Sequence, residues 1–226
     1  MNLRTLLAFI IFVVLFNSIF ALETPLALLL NNPDYGENLS PMEKFLKKNE
    51  IPYTLYKTFQ GEFPEADDYS ALIVGGGSSF LNYFDGNNEE LIGVELIKKT
   101  NEPVLGICLG CQIIGKAYDV ELKFDEERKW NILDVVKEDI IFIGVSEKCN
   151  VWENHLYALA DIPEGFELLA TDTDGTIQII KHKEKYIYGF QFHPEKDDGK
   201  KINHGSMLFF NFIALVEYLE KNDSSS

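Results

Sequence analysis

Short apolar runs alternate with amphipathic stretches over the first half of the chain. Leu26 to Leu30 is an apolar run closed by Asn31-Asn32-Pro33 and reads as a buried strand. Pro41 to Lys48 has helical spacing, with Ser40 as N-cap and Met42, Phe45 and Leu46 on one face. Ile51 to Tyr56 alternates as a strand, and Ala71 to Val74 is a second buried strand ended by Gly75-Gly76-Gly77. Glu89 to Thr100 reads as a helix, Val104 to Ile107 as a strand and Gln112 to Tyr118 as a helix. Strands alternating with helices predict an α/β fold, a mostly parallel central sheet with helices on both faces. After Val120 the pattern changes. Trp130–Val136, Ile140–Ile143, Leu168–Thr171, Ile177–Lys181 and Tyr186–Phe192 read as shorter strands, an antiparallel extension of the sheet. A last amphipathic helix is expected over Ser206 to Leu219, and residues 222–226 form a polar tail.

The first 21 residues do not belong to this pattern. Arg4 precedes an apolar run from Leu6 to Phe16, and Ala21 is a small residue suited to cleavage. This layout predicts a signal peptide, or an N-terminal anchor if it stays attached. The expectation is then a secreted or periplasmic chain, membrane-anchored in the second case, with residues 22–221 as one domain. Asn38-Leu39-Ser40 and Asn222-Asp223-Ser224 are glycosylation sequons of little weight by themselves.

Twenty Lys plus Arg against 36 Asp plus Glu leave a net charge of -16, which repels phosphate backbones and argues against nucleic-acid and anionic-membrane partners. The 3 Cys are too few for a disulfide framework, and no Cys/His spacing suggests a metal site.

The chemistry sits in two places. Cys108 follows a buried strand and opens a helix, flanked by Gly106 and Gly110. Small neighbours permit a sharp turn that exposes the side chain, and the helix N-terminus favours the thiolate. Cys108 is therefore the candidate nucleophile. Cys111, three residues on, has redox spacing but reads more simply as core filler, and Cys149 has no motif. The second place is Tyr186 to Glu195, a strand running into His193-Pro194-Glu195. In extended chain His193 and Glu195 share a face, so the carboxylate can orient the imidazole as a general base of fixed tautomer.

Gly106-Ile107-Cys108-Leu109-Gly110-x-Gln112 together with Tyr188-Gly189-Phe190-Gln191-Phe192-His193-Pro194-Glu195 resembles the class I, or triad, glutamine amidotransferase family, over about Leu26 to Leu219. The resemblance implies a flavodoxin-like sheet and a Cys108–His193–Glu195 triad that cleaves a γ-glutamyl amide through a glutamyl thioester. It further implies an oxyanion hole from the amides of Gly76 and Leu109, a substrate-binding role for Gln112, and no metal or organic cofactor. The chain departs from the family at Gly77, where proline is usual, and at Cys111, where His, Met or Phe is commoner.

Two branches compete. Glu153-Asn154-His155 and Pro163 to Ala170 are similar to the glutaminase of guanylate synthase, a partner of a separate synthase subunit. Thr171-Asp172-Thr173-Asp174-Gly175 is similar to free-standing γ-glutamyl hydrolases, some of them exported. Ammonia-channelling synthases use ATP in the cytoplasm, so the N-terminal segment tips the expectation toward a free-standing, exported γ-glutamyl hydrolase. The alternatives are a glutaminase feeding a synthase and an inactive binding member of the family. His155 reads as a loop residue with a structural hydrogen bond, or as a partner contact.

Overall fold

A computed structural model describes residues 20–31, 38–65, 68–77, 93–145, 149–196, 199 and 201–223. Nine strands form one sheet in the order β2-β1-β3-β4-β9-β8-β7-β5-β6. The first five in that order are parallel: β2 (Tyr53–Lys57), β1 (Leu26–Leu30), β3 (Leu72–Val74), β4 (Val104–Ile107) and β9 (Ile187–Phe190). β8 (Ile177–His182), β7 (Phe166–Thr171), β5 (Leu122–Val135) and β6 (Cys149–Leu159) continue it antiparallel. The predicted α/β architecture with an antiparallel extension is the one observed.

The strictly apolar strands are covered on both faces, which is why they read as runs rather than alternations. Leu26, Leu28, Ile73, Leu105 and Ile107 pack against α1 (Pro41–Lys48) and α4 (His204–Asp223). Ala27, Leu29, Leu72, Val74 and Val104 face α2 (Val94–Lys99) and α3 (Leu109–Ala117). Ser40 caps α1 as expected: its hydroxyl accepts from the Glu43 amide at 3.2 Å while Glu43 accepts from the Ser40 amide at 2.9 Å. That reciprocal box accounts for two otherwise orphaned donors.

The second half of the chain differs from the sequence-based expectation. Ile140–Phe142 is a short 3-10 turn, not a strand, with Asp139 capping it through the Ile141 amide at 3.1 Å. β5 begins at Leu122, well before the predicted Trp130, because its charged first half lies in a ribbon with one open face. β6 has no counterpart among the predicted strands. Its inward positions are Cys149, Val151, Glu153 and His155, and the two buried polar residues break the hydrophobic alternation. Residues 89–92 of the expected Glu89 helix lie outside the described residues, as do 1–19 of the expected signal segment, Ser78-Ser79 and 224–226 of the tail.

The residues just after residue 19 are part of the fold. The Phe20 ring stacks on Phe210 with centroids 5.8 Å apart, and Leu22 packs against the same core. The amides of Glu23 and Thr24 donate to the Glu220 carboxylate at 3.0 and 3.1 Å, tying the chain to the end of α4. Among the described residues no helix is long and apolar enough to cross a membrane.

Candidate active site

Cys108 stands between β4 and α3 with φ 52° and ψ -105°. A non-glycine residue at positive φ is strained, and here neighbouring packing holds it. Its amide donates to Phe190 O at 2.7 Å, anchoring the turn to β9. Gly110 faces β3 so closely that a Cβ there would lie 1.9 Å from Val74 O, and a Cβ on Gly106 would lie 2.5 Å from Gly110 O. The glycines therefore let strand and helix meet at a separation no side chain permits. The thiol points off the end of α3, where Asn154 O and the Gln191 amide approach it at 3.8 and 3.9 Å.

The second predicted group arrives from β9. His193 Nδ1 and Glu195 Oε1 are 2.8 Å apart, and both side chains are largely buried. The His193 amide donates to Trp152 O at 2.8 Å, so β6 fixes the turn from the other side. Burial pushes the His193 imidazolium down, but the charges of Glu195 and Cys108 and the hydrogen bonds to them outweigh it and hold its pKa well above the usual histidine value. His193 is therefore favoured as the imidazolium beside the Cys108 thiol. Because the folded pKa is raised, the stability contributed by the pair is complete below about pH 6.5, the unfolded value, and is lost as pH rises through the elevated one. Melting curves against pH should show this directly: the stability gap between wild type and His193→Gln stays constant in acid and narrows in alkali.

Gly76 joins the two groups. A Cβ on it would meet His193 Cε1 at 3.2 Å and the Cys108 Cβ at 3.5 Å, so only glycine leaves this space open. Among the described residues no backbone carbonyl takes the amide of Gly76 or of Leu109. Leu109 is the first residue of α3, so its amide is one of the helix's N-terminal donors without an intrahelical acceptor.

Gln112 was expected to help bind the substrate. It is buried one turn into α3, with Nε2 donating to Tyr157 O at 2.6 Å and reaching Gln191 Oε1 at 3.5 Å, the residue whose amide also approaches the Cys108 sulfur. Cys111 faces the opposite side of the sheet from Cys108, in the core around α3, where burial pushes its thiol far up. That is the core-filling role. His155 makes the structural hydrogen bond anticipated for it, Nδ1 lying 2.9 Å from Asp125 O. Its Nε2 is 3.8 Å from the fully buried Glu153, whose carboxyl burial pushes up against the opposing pull of His155.

Sequence reasoning missed Asn203. Its amide donates to His193 O, Pro194 O and Lys196 O at 2.9, 3.2 and 3.0 Å, while its Oδ1 accepts from Gly205 at 2.9 Å and starts α4. Only the N-cap preference of Asn just before a helix hinted at it. Asn203→Ala leaves three carbonyls of the His193 turn without this donor. We expect a loss of about 1–3 kcal/mol in denaturant melts and a fall in turnover with little change in KM.

A cavity of about 770 Å³ opens beside the His193–Glu195 pair, lined by Gly76, Asn154, His193 and Glu195, by residues of α1, and by Lys196, Lys201 and Asn203.

Residues 41–215 match the family model described as glutamine amidotransferase class-I. The chain belongs to that family. It is 34% identical over 200 residues to the glutamine-hydrolysing GMP synthase subunit of Methanobrevibacter smithii, covering 87% of this chain and 98% of that one. The subunit of the same name from Methanothermobacter thermautotrophicus is 34% identical over 188 residues, covering 82% and 95%. A glutamine amidotransferase of Thermotoga maritima shares the fold, with a TM-score of 0.63 at 21% identity over 89% of this chain and 98% of the other.

These relatives correct the expectation of a free-standing, exported γ-glutamyl hydrolase, because they bear the name of a synthase subunit along nearly their whole length. Export was the feature that favoured the hydrolase branch, and it is withdrawn with it: Phe20 and Leu22, at the expected cleavage point, are packed into the domain. The Thr171–Gly175 likeness is turn chemistry. Asp172 Oδ1 accepts from the amides of Asp174 and Thr176 at 2.9 and 2.8 Å, which closes the β7–β8 hairpin.

Proposed function

We propose that this chain is the glutaminase subunit of a two-part synthase, GMP synthase being the one its relatives name, and that residues 22–221 form its single amidotransferase domain. The observation that carries the reading is the arrangement of Cys108 in a strained turn at a helix N-terminus, with His193–Glu195 beside it and the backbone of Gly76 and Leu109 alongside. Cys108 as thiolate attacks the side-chain carbonyl carbon of glutamine. The oxyanion is held by the Gly76 and Leu109 amides, each such donor being worth about 2.7–4 kcal/mol in the transition state. His193 passes its proton to the leaving nitrogen, ammonia departs, and a glutamyl thioester remains. His193 then takes a proton from water, whose oxygen displaces the thiolate and releases glutamate. Glu195 keeps the imidazole in one tautomer and supports its charge. Gln112 is held by Tyr157 O and reaches Gln191 beside the thiol, and it keeps its expected role at the amino-acid end of glutamine. No step draws on a metal or an organic group.

The test is glutamine hydrolysis by the purified chain, alone and with a GMP synthase subunit lacking its own glutaminase, using Cys108→Ala as blank. Ammonia from glutamine that rises on adding the synthase subunit supports the reading. Full turnover insensitive to that subunit would sink the two-part assignment, and no turnover with an inert thiol would leave the inactive-member reading standing.

A further inference from the structure

The β5–β6 ribbon turns one face to the cleft. In the antiparallel register Arg128 lies opposite Asn154 and Trp130 opposite Trp152, so these four side chains share that face. Its other face carries Lys129, which is paired with Glu127 at 3.0 Å and Asp174 at 3.2 Å. The cleft-side aromatic pair is T-shaped, with centroids 5.5 Å apart, and each ring is capped by a lysine, Lys196 or Lys201. Lys196 lies 5.3 Å from the Trp152 centroid and Lys201 lies 5.9 Å from that of Trp130. Those two cations are thereby directed onto the rings. Arg128 is not. It lines the cleft with Gly76, Asn154 and His193, it is exposed, and no carboxylate among the described residues pairs with it.

This is an unusual placement in a chain of net charge -16, which has acids to spare for any arginine on its surface. Its cross-strand neighbour Asn154 is also the residue whose backbone oxygen lies 3.8 Å from the Cys108 sulfur. Arg128 therefore lies on the strand next to the one whose carbonyl meets the thiol, its backbone about 5 Å from that of Asn154. In an extended glutamine the α-carboxyl carbon is four bonds, about 5 Å, from the amide carbon, which separates the group to be bound from the thiol. Among the described residues lining the cleft the only acid is Glu195, and it is turned to His193. The planar guanidinium presents paired donors that match a carboxylate, which a lysine does not.

We propose that Arg128 is the specificity residue of this site: it binds the α-carboxylate of glutamine and so sets the amide carbon over Cys108. The proposal rests on the glutaminase reading above.

The experiment follows alkylation of Cys108 by intact mass, so that it needs neither turnover nor a synthase. Three reagents are compared: a diazoketone analogue of glutamine with a free α-carboxylate, its α-methyl ester, and iodoacetamide. Wild type should react with the free acid at least tenfold faster than with the ester. Arg128→Met should lose about tenfold or more toward the free acid, the range for a charge-assisted hydrogen bond, and should no longer distinguish acid from ester. Arg128→Lys should recover part of the difference. Iodoacetamide should react equally with all three proteins, and their melting temperatures should agree, since the side chain is exposed. Equal reaction of acid and ester with wild type, or an Arg128→Met protein that still distinguishes them, overturns the assignment while leaving the glutaminase reading intact. A slowed iodoacetamide reaction in Arg128→Met also overturns it, because the arginine would then act on the thiol. A Cys108 inert to all three reagents in wild type overturns the glutaminase reading and this proposal with it.

Discussion

Cys108→Ala is expected to end glutamine hydrolysis, lowering the turnover number by about 10⁴-fold or more, on the order seen when a nucleophile is removed from a cooperating set. The remaining parts cannot compensate, since His193 then has no thiol proton to manage and the amides of Gly76 and Leu109 have no oxyanion to hold. The same position offers a second readout. At φ 52° and ψ -105° any Cβ is strained, at a cost on the order of 1–3 kcal/mol. Cys108→Gly therefore removes the reaction and the strain together. Although glycine adds disorder to the unfolded chain, Cys108→Gly should melt above Cys108→Ala, whose methyl keeps the strain and none of the chemistry. Paired assays of ammonia release and thermal unfolding check both halves. A glycine variant that melts below the alanine variant would show that the turn is relaxed, and the thiol would then not be held by the frame of β4, α3 and β9.

How much of this was readable from residues alone differs between the two halves of the chain. The parallel strands are short apolar runs because helices cover both their faces, and that pattern survives in one dimension. The turn at Cys108 was readable for a related reason: glycines at 106 and 110 are demanded by contacts within a few residues and with the adjacent strand. The ribbon of β5 and β6 was not readable. Arg128, Trp130, Trp152 and Asn154 belong to a cleft face that is neither core nor ordinary surface, while Glu153 and His155 occupy inward positions that a hydrophobic alternation would exclude. Functional walls break the period that would reveal them. Asn203 escaped for another reason, since its three acceptors are carbonyls and carry no residue identity. The N-terminal run misled in a third way. Its charge, apolar middle and small exit residue satisfied the pattern of an exported chain, yet nothing in that pattern reports that Phe20 stacks on the ring of Phe210 in α4, at the far end of the sequence. Placing the chain on the correct branch needed relatives matched along their length.

Among the described glycines, Gly110→Ala should be the most damaging single methyl. Its Cβ would lie 1.9 Å from Val74 O and 2.8 Å from Val74 C, both backbone atoms of the central strand β3. A flexible side chain could swing aside, but a strand paired on both edges cannot, so the start of α3 has to retreat by roughly 1 Å or more to restore ordinary contact. That motion pulls Leu109 and Cys108 with it, and they carry one oxyanion donor and the nucleophile. Two effects are expected to appear together: a destabilisation above about 3 kcal/mol, beyond the usual range for an inserted methylene because the clash is with backbone, and a loss of turnover in whatever fraction stays folded, since a misplacement near 1 Å can cost about 10²-fold. Gly115→Ala provides the comparison. Its Cβ would come within 2.2 Å of Leu159 Cδ2, a similarly short contact but with the tip of a leucine that has other rotamers, two turns from the nucleophile. That variant should lose stability in the range of about 1–3 kcal/mol and keep the turnover of wild type per folded molecule. Denaturant melts combined with titration of the reactive Cys108 fraction separate the two, and equal turnover of both variants per folded molecule would mean that the approach of α3 to β3 does not set the geometry of the thiol.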